Sequence, residues 1–235
     1  MAACGATALG TRIDTVVFDM DGVLLDSEPV WNRVRHDFAG AHGGRWTDED
    51  QRAVMGVNSP QWVAYMHDHC GVDLPHDEIF AGVMRALRAS YARDLPLFAG
   101  AREAVSAIAP HYRLGLASSS PRELIEYALQ LAGLRACFAV VVSSDEVARG
   151  KPKPDVYREA CARLGASPQR SAPVEDSSNG ILAAARAGLA VVAIPNPVFA
   201  PSTEALRLAD VVLASIAELT VEVIWSLRRE PAFGP

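Results

Sequence analysis

Six short apolar runs, rich in β-branched residues, alternate with helical patterns along most of this chain, and polar residues gather where several of the runs end. The runs cover residues 15–18, 112–117, 139–143, 172–174, 190–194 and 211–214. Helical patterns lie between them at 101–109, 121–132, 154–164 and 179–187. The second is expected to start from a Ser120 cap with Pro121 behind it, and the last to close at Gly188. Strands alternating with helices dictate a parallel sheet covered on both faces, so the expected class is α/β with a three-layer core. Such sheets bind ligands beyond the carboxyl ends of their strands.

The alternation breaks once. From 27 to 95 no strand pattern occurs, and helical stretches at 30–41, 47–55, 60–70 and 76–93 are separated by glycine-containing turns. This reads as an α-helical cap inserted after the first strand, with crossings near Ser27 and Leu95 that could act as hinges. The expected division is a core of 13–26 and 96–227, a helical cap of 27–95, and flexible tails at 1–12 and 228–235.

The first run, Thr15-Val16-Val17-Phe18, leads directly into Asp19 and Asp21, and Gly22 follows. Side chains two apart on an extended segment share a face, so both carboxylates converge at the mouth of the strand. Packing does not require two acids there, whereas metal-assisted chemistry on an anion does. The other strand ends add Ser118, Ser119 and Ser120, then Glu175 and Asp176, with Lys151 between. Four carboxylates in one place repel one another. A hard divalent cation with oxygen ligands relieves that repulsion, and Mg²⁺ suits a site shared with phosphate. Of the 22 basic residues only Lys151 and Lys153 are lysines. A compact charge on a thin stem enters a narrow pocket that arginine does not.

Composition excludes several classes. The net charge is −6 and no basic block occurs, which disfavours nucleic acid and anionic membrane as partners. No apolar stretch approaches the ~20 residues that span a bilayer. Cys4, Cys70, Cys137 and Cys161 show neither zinc spacing nor a disulfide frame, and fit free thiols in a reducing cytoplasm. The expected protein is a cytoplasmic monomer acting on a small phosphorylated metabolite.

Four segments, Asp-Met-Asp-Gly-Val at 19–23, Leu-Ala-Ser-Ser-Ser at 116–120, Lys-Pro-Lys-Pro-Asp at 151–155 and Val-Glu-Asp-Ser-Ser-Asn-Gly at 174–180, stand in this order. Together they resemble the motifs of the haloacid dehalogenase superfamily, in its branch of phosphatases and β-phosphoglucomutase-like enzymes with a helical cap. The resemblance runs from about Ile13 to Leu227 and implies a Rossmann-like core and a phosphoric monoester hydrolase. It assigns Asp19 as the nucleophile that forms an aspartyl-phosphate and Asp21 as the general acid and base. It implies Mg²⁺ held by Asp19, the Asp21 carbonyl and one or both of Glu175 and Asp176. Ser118 and the Ser119 amide would hold phosphoryl oxygens, and Lys151 would neutralise charge and anchor Asp19.

The alternative within the resemblance is a phosphosugar mutase. There the first cap helix carries a His where this chain has Trp31, and a following turn carries an Arg where this chain has Ser59. The cap also lacks lysine. Missing cationic cap groups favour a phosphatase, with Trp31 offering an aromatic face to a sugar. Blander readings stand beside these. Ser118 suits a helix cap, Lys151 a solvated loop, and Trp31 a core position. A non-catalytic phosphoacceptor lacks a reason for the large insert. His67, Asp68 and His69 invite a metal reading, but neighbours one and two apart on a helix face different ways.

Overall fold

The computed structural model describes residues 11–229. A two-residue strand, β1 (Thr11–Arg12), precedes β2 (Thr15–Phe18). Four helices follow: α1 (Glu28–Ala41), α2 (Asp48–Ala53), α3 (Ser59–Asp68) and α4 (His76–Arg93). Then come α5 (Ala101–Ile108), β3 (Arg113–Ser118), α6 (Arg122–Ala132), β4 (Val140–Ser143), α7 (Asp155–Leu164) and β5 (Ser171–Glu175). The chain closes through α8 (Ser178–Ala187), β6 (Val192–Ala193), α9 (Thr203–Leu206), β7 (Val211–Val212), α10 (Val221–Ser226) and β8 (Arg228–Arg229).

Six strands form one parallel sheet in the order β4-β3-β2-β5-β6-β7. Strand β2 sits near its middle, paired with β3 and β5, and every residue of β2 is buried. One face packs an apolar cluster around Phe18, Leu116 and Val174. The other packs Val17, Ala117 and Val142 against α7 and α8. Because the three central strands end within two residues of one another in register, Asp19, Ser118 and Glu175 reach the same rim.

The expected strands are all present, but the last two shrink to Val192–Ala193 and Val211–Val212 at the sheet's edge. The tails also differ from expectation. Thr11–Arg12 pairs antiparallel with Arg228–Arg229, so their inner ends form a small ladder. Cys4 and the outer tail residues lie outside the described residues. Cys70, Cys137 and Cys161 are free thiols.

The helical insert joins the core through two adjacent crossings. Leu25 bridges Leu97 in antiparallel sense, Asp26 N–H donates to Pro96 C=O at 2.7 Å, and Phe98 N–H donates to Leu24 C=O at 2.9 Å. Helices α2 and α3 start with capping boxes at Thr47 and Asn58. Among the described residues, no helix is long and apolar enough to cross a membrane.

Candidate active site

The rim of β2, β3 and β5 and the underside of the insert border a narrow cleft of about 60 Å³ that opens to solvent. The core contributes Asp19, Asp21, Ser119, Ser120, Lys151, Asp176 and Ser177 to its lining. The insert contributes Glu28, Trp31, Arg35, residues 54–57 and Trp62.

Asp19 is 6% exposed, fixed by its N–H bond to Val174 C=O at 2.9 Å. Lys151 Nζ stands 3.0 Å from Asp19 Oδ1 and donates to Glu175 Oε1 at 2.6 Å. Tyr157 O–H also donates to Glu175 Oε1, while Asp176 N–H donates to Oε2 at 3.2 Å. Both Glu175 oxygens are therefore engaged by protein donors, and the side chain is sealed at 0% exposure, outside the cleft lining. Asp176 does line the cleft. Gly22 makes its approach feasible. A Cβ there would fall 1.9 Å from Asp176 Oδ2, and the backbone at φ +80° is left-handed.

Asp21 accepts three hydroxyl hydrogen bonds. Ser27 Oγ donates to Oδ1 at 2.6 Å, and Ser118 Oγ and Ser120 Oγ donate to Oδ2 at 3.1 and 2.7 Å. Hydroxyls both donate and accept, so this set can serve the carboxyl in either protonation state. Ser118 is fully buried and absent from the cleft lining, with Asp21 as its partner, while Ser119 reaches the cleft. Ser120 does not cap α6. Pro121 holds the cap position, and the Ser120 hydroxyl turns to Asp21 instead.

The electrostatics show what the site demands. Burial pushes the Asp19 carboxyl up to about 8; Lys151 pulls it down, and Glu175 and Asp21 push it up. Burial, then Glu175 and Asp19, also raise Asp176 well above the carboxylate range. Burial works to lower the Lys151 ammonium, but Asp19 and Glu175 together hold it above its ordinary value. One ammonium does not balance this many acids. Oxygens of Asp19, Glu175 and Asp176 lie within 4.8 Å of one another, and the buried Asp19 Oδ1 accepts no hydrogen bond despite its ion pair. A buried, all-oxygen, electron-rich set fits Mg²⁺.

The structure corrects one expectation. The insert lacks lysine, yet it does bring a cation to the cleft. Arg35 is 5% exposed, with its guanidinium carbon 4.3 Å from the Trp31 ring centre. Trp31 is itself both a core and a cleft residue, 5% exposed and edge-on to Trp62. The sequence signal for Arg35 was its position four residues after Trp31, one helical turn along the same face.

Two further pairs dock the insert on the core. Ser59 N–H and Oγ donate to the Asp145 carboxylate at 2.8 and 2.6 Å, and Ser119 Oγ donates to Gly56 C=O at 2.8 Å. On the outer surface of the insert, His67 and Asp68 are joined by His76 rather than His69, and this group is exposed or half-buried.

The profile described as haloacid dehalogenase-like hydrolase matches residues 13–188. The chain belongs to that family. Hexitol phosphatase B of Escherichia coli K12 is 32% identical over 214 residues, covering 90% of this chain and 96% of that protein. Validoxylamine A 7′-phosphate phosphatase of Streptomyces hygroscopicus is 33% identical over 231 residues, covering 93% and 97%. Among solved structures, CbbY of Rhodobacter sphaeroides in complex with phosphate superposes with a TM-score of 0.82 at 29% identity, covering 92% of this chain and all of that one. This haloacid dehalogenase-like hydrolase therefore shares its fold with CbbY and aligns along almost the whole length of proteins named as phosphatases.

Proposed function

We propose that this hydrolase is a Mg²⁺-dependent phosphatase that cleaves a small phosphomonoester, a sugar phosphate in class, through an aspartyl-phosphate on Asp19. The observation that carries the reading is the buried Asp19 carboxylate, 3.0 Å from Lys151 and two residues from the hydroxyl-held Asp21, at the floor of the cleft under the insert. The phosphatase names of full-length relatives support the same class.

Asp19 attacks phosphorus, and Asp21 gives its proton to the departing alkoxide as the P–O ester bond breaks. Water then attacks the phosphoaspartate, Asp21 takes the proton, and inorganic phosphate leaves Asp19 free. Lys151 holds Asp19 in place and balances charge as it builds. The Ser119 and Ser120 backbone and hydroxyls border the phosphoryl pocket, and Ser118 aligns Asp21. Asp19, Asp176 and the Asp21 carbonyl would hold Mg²⁺, with Glu175 one step back, gripping Lys151. When bound there, the ion supplies positive charge that offsets carboxylates and phosphate together. The docked insert excludes bulk water from the phosphoenzyme.

Purified protein should release phosphate from hexose monophosphates with Mg²⁺ and not with EDTA, and Asp19→Asn should abolish release. Retained turnover in that variant overturns the nucleophile assignment. Arg35 lends weight to a second reading, the phosphosugar mutase, because a mutase needs a cation opposite the nucleophile. That reading expects conversion of a hexose 1-phosphate to the 6-phosphate, stimulated by a bisphosphate.

A further inference from the structure

Arg35 occupies a setting that its structural role does not explain. It lies in the interior of α1 and is shut in by three indoles, with its guanidinium carbon 4.3, 5.6 and 5.2 Å from the Trp31, Trp46 and Trp62 ring centres. A weakly hydrated, planar cation tolerates such a cage. Its Nη1 donates to Gln51 Oε1 at 3.1 Å, and Gln51 Nε2 in turn donates to Glu28 Oε2 at 2.6 Å. The Arg35 Nε, buried with the rest, has no hydrogen-bond partner. Buried donors are seldom left unpaired, and an orphan of this kind in the wall of a cleft marks a place for an acceptor. Arg35 and Glu28 both line the cleft on the insert side, opposite the Asp19 floor.

We propose that Arg35 and Glu28, spaced by the Gln51 amide, form a donor–acceptor pair that reads a hydroxyl at the non-phosphorylated end of the substrate, so that the preferred substrates are polyhydroxylated monophosphates with an uncharged far end. This rests on the phosphatase reading and narrows its substrate class. A hydroxyl accepts from Arg35 and donates to Glu28, which satisfies both at once. A second phosphate or a carboxylate would meet Arg35 but also Glu28, with Asp21 close enough to act on both residues electrostatically. An alkyl chain would leave the Arg35 Nε without an acceptor. Trp31 supplies the flat apolar wall against which a carbon skeleton lies. The pair thus selects against both the charged and the greasy competitor, whereas a lone arginine would select for the charged one.

The test compares glucose 6-phosphate, n-hexyl phosphate and fructose 1,6-bisphosphate as substrates, with calorimetric binding of each to Mg²⁺-loaded protein. Wild type should prefer the hydroxylated monophosphate over the hexyl ester by about 100-fold or more in kcat/KM, as sites built to bond a hydroxyl do. Arg35→Met keeps bulk against the indoles but removes the donor, and should shrink that ratio at least tenfold. An unchanged ratio in a folded Arg35→Met overturns the proposal. Should that variant not fold, the wild-type ranking decides, because preference for the bisphosphate or parity with the hexyl ester also overturns it. If no ester is hydrolysed, the phosphatase reading fails, and the calorimetric ranking of the same three compounds still judges the Arg35–Glu28 pair.

Discussion

Lys151 is anchored by Glu175 at 2.6 Å and only then presented to Asp19 at 3.0 Å, so the buried glutamate sets where the ammonium stands. Both side chains are nearly sealed from solvent. Removing one partner of a buried pair strands the other charge. Lys151→Met should therefore destabilise the fold by about 3–5 kcal/mol and lower kcat by about 10²–10³-fold. Adding Glu175→Gln should recover much of the stability and none of the activity. Thermal melts and steady-state kinetics on the double-mutant cycle check this; recovered activity would contradict the placement.

Asp19→Asn should trade activity for stability. Burial raises the Asp19 carboxyl from 3.8 to about 8, so the fold favours its protonated form. Its contribution is fully present below about pH 4 and is lost as pH rises toward 8, which makes the metal-free protein less stable at pH 8 than at pH 5. Asn removes this slope. In EDTA at pH 8 the variant should melt higher by about 2–4 °C for each kcal/mol relieved, while Mg²⁺ should raise the wild-type midpoint more than the variant's. Equal responses to Mg²⁺ in both proteins would remove Asp19 from the cation site.

Glu146 should govern part of the acid sensitivity. Arg122 and Arg163 hydrogen-bond its carboxylate at 2.9 and 2.7 Å, and the Arg122 bond leads in pulling it from 4.5 down to about 2. A depressed carboxyl stabilises above its ordinary value, and that benefit fades as pH falls from about 4.5 toward 2. The cluster is partly exposed and screened, so Glu146→Gln should cost about 1 kcal/mol at pH 7 and flatten the loss of stability below pH 4.5. Urea titrations at pH 7 and pH 3 measure the difference.

Asp145→Ala should loosen the docked insert without touching the reacting groups. Two bonds from Ser59 end on this carboxylate, 2.8 and 2.6 Å long. Bonds to a charged acceptor contribute about 1.5–3 kcal/mol each when buried and less at this half-exposed edge. KM should rise about tenfold, in step with the loss of roughly one such bond, and the solution-scattering radius should grow. An unchanged radius together with an unchanged KM would show that the latch is inert.

Much of this was legible in the sequence for a simple reason. Short buried strands whose carboxyl ends lie close together leave little freedom in where the next residue goes, so Asp19, Ser118 and Glu175 gather at one rim. What those residues then do is set by contacts between segments far apart in the chain. Glu175 reads as a metal-ligand candidate from its place beside Asp176, and nothing in the local sequence announces that Lys151 and Tyr157 both donate to its Oε1. Ser120 reads as a helix cap, but Pro121 takes the cap position and the Ser120 hydroxyl donates to Asp21, a residue far away in the chain. Beyond its spacing from Trp31, Arg35 carries no signal of its own in the local sequence, and is buried because Trp31 of its own helix, Trp46 of the following loop and Trp62 of α3 gather around it. Strand length at the sheet's edge was over-read because apolar runs continue into loops where no neighbour pairs with them.

The two connections of the insert lie side by side, stitched by Leu25 to Leu97 and by Asp26 to Pro96. Everything from α1 to α4 thus leaves and returns through one doorway. A panel hung this way can be enlarged, shortened or exchanged while the frame behind it keeps its shape. On the proposed reading, the tools that break the ester bond and the tools that choose which ester to break would be free to change at different speeds.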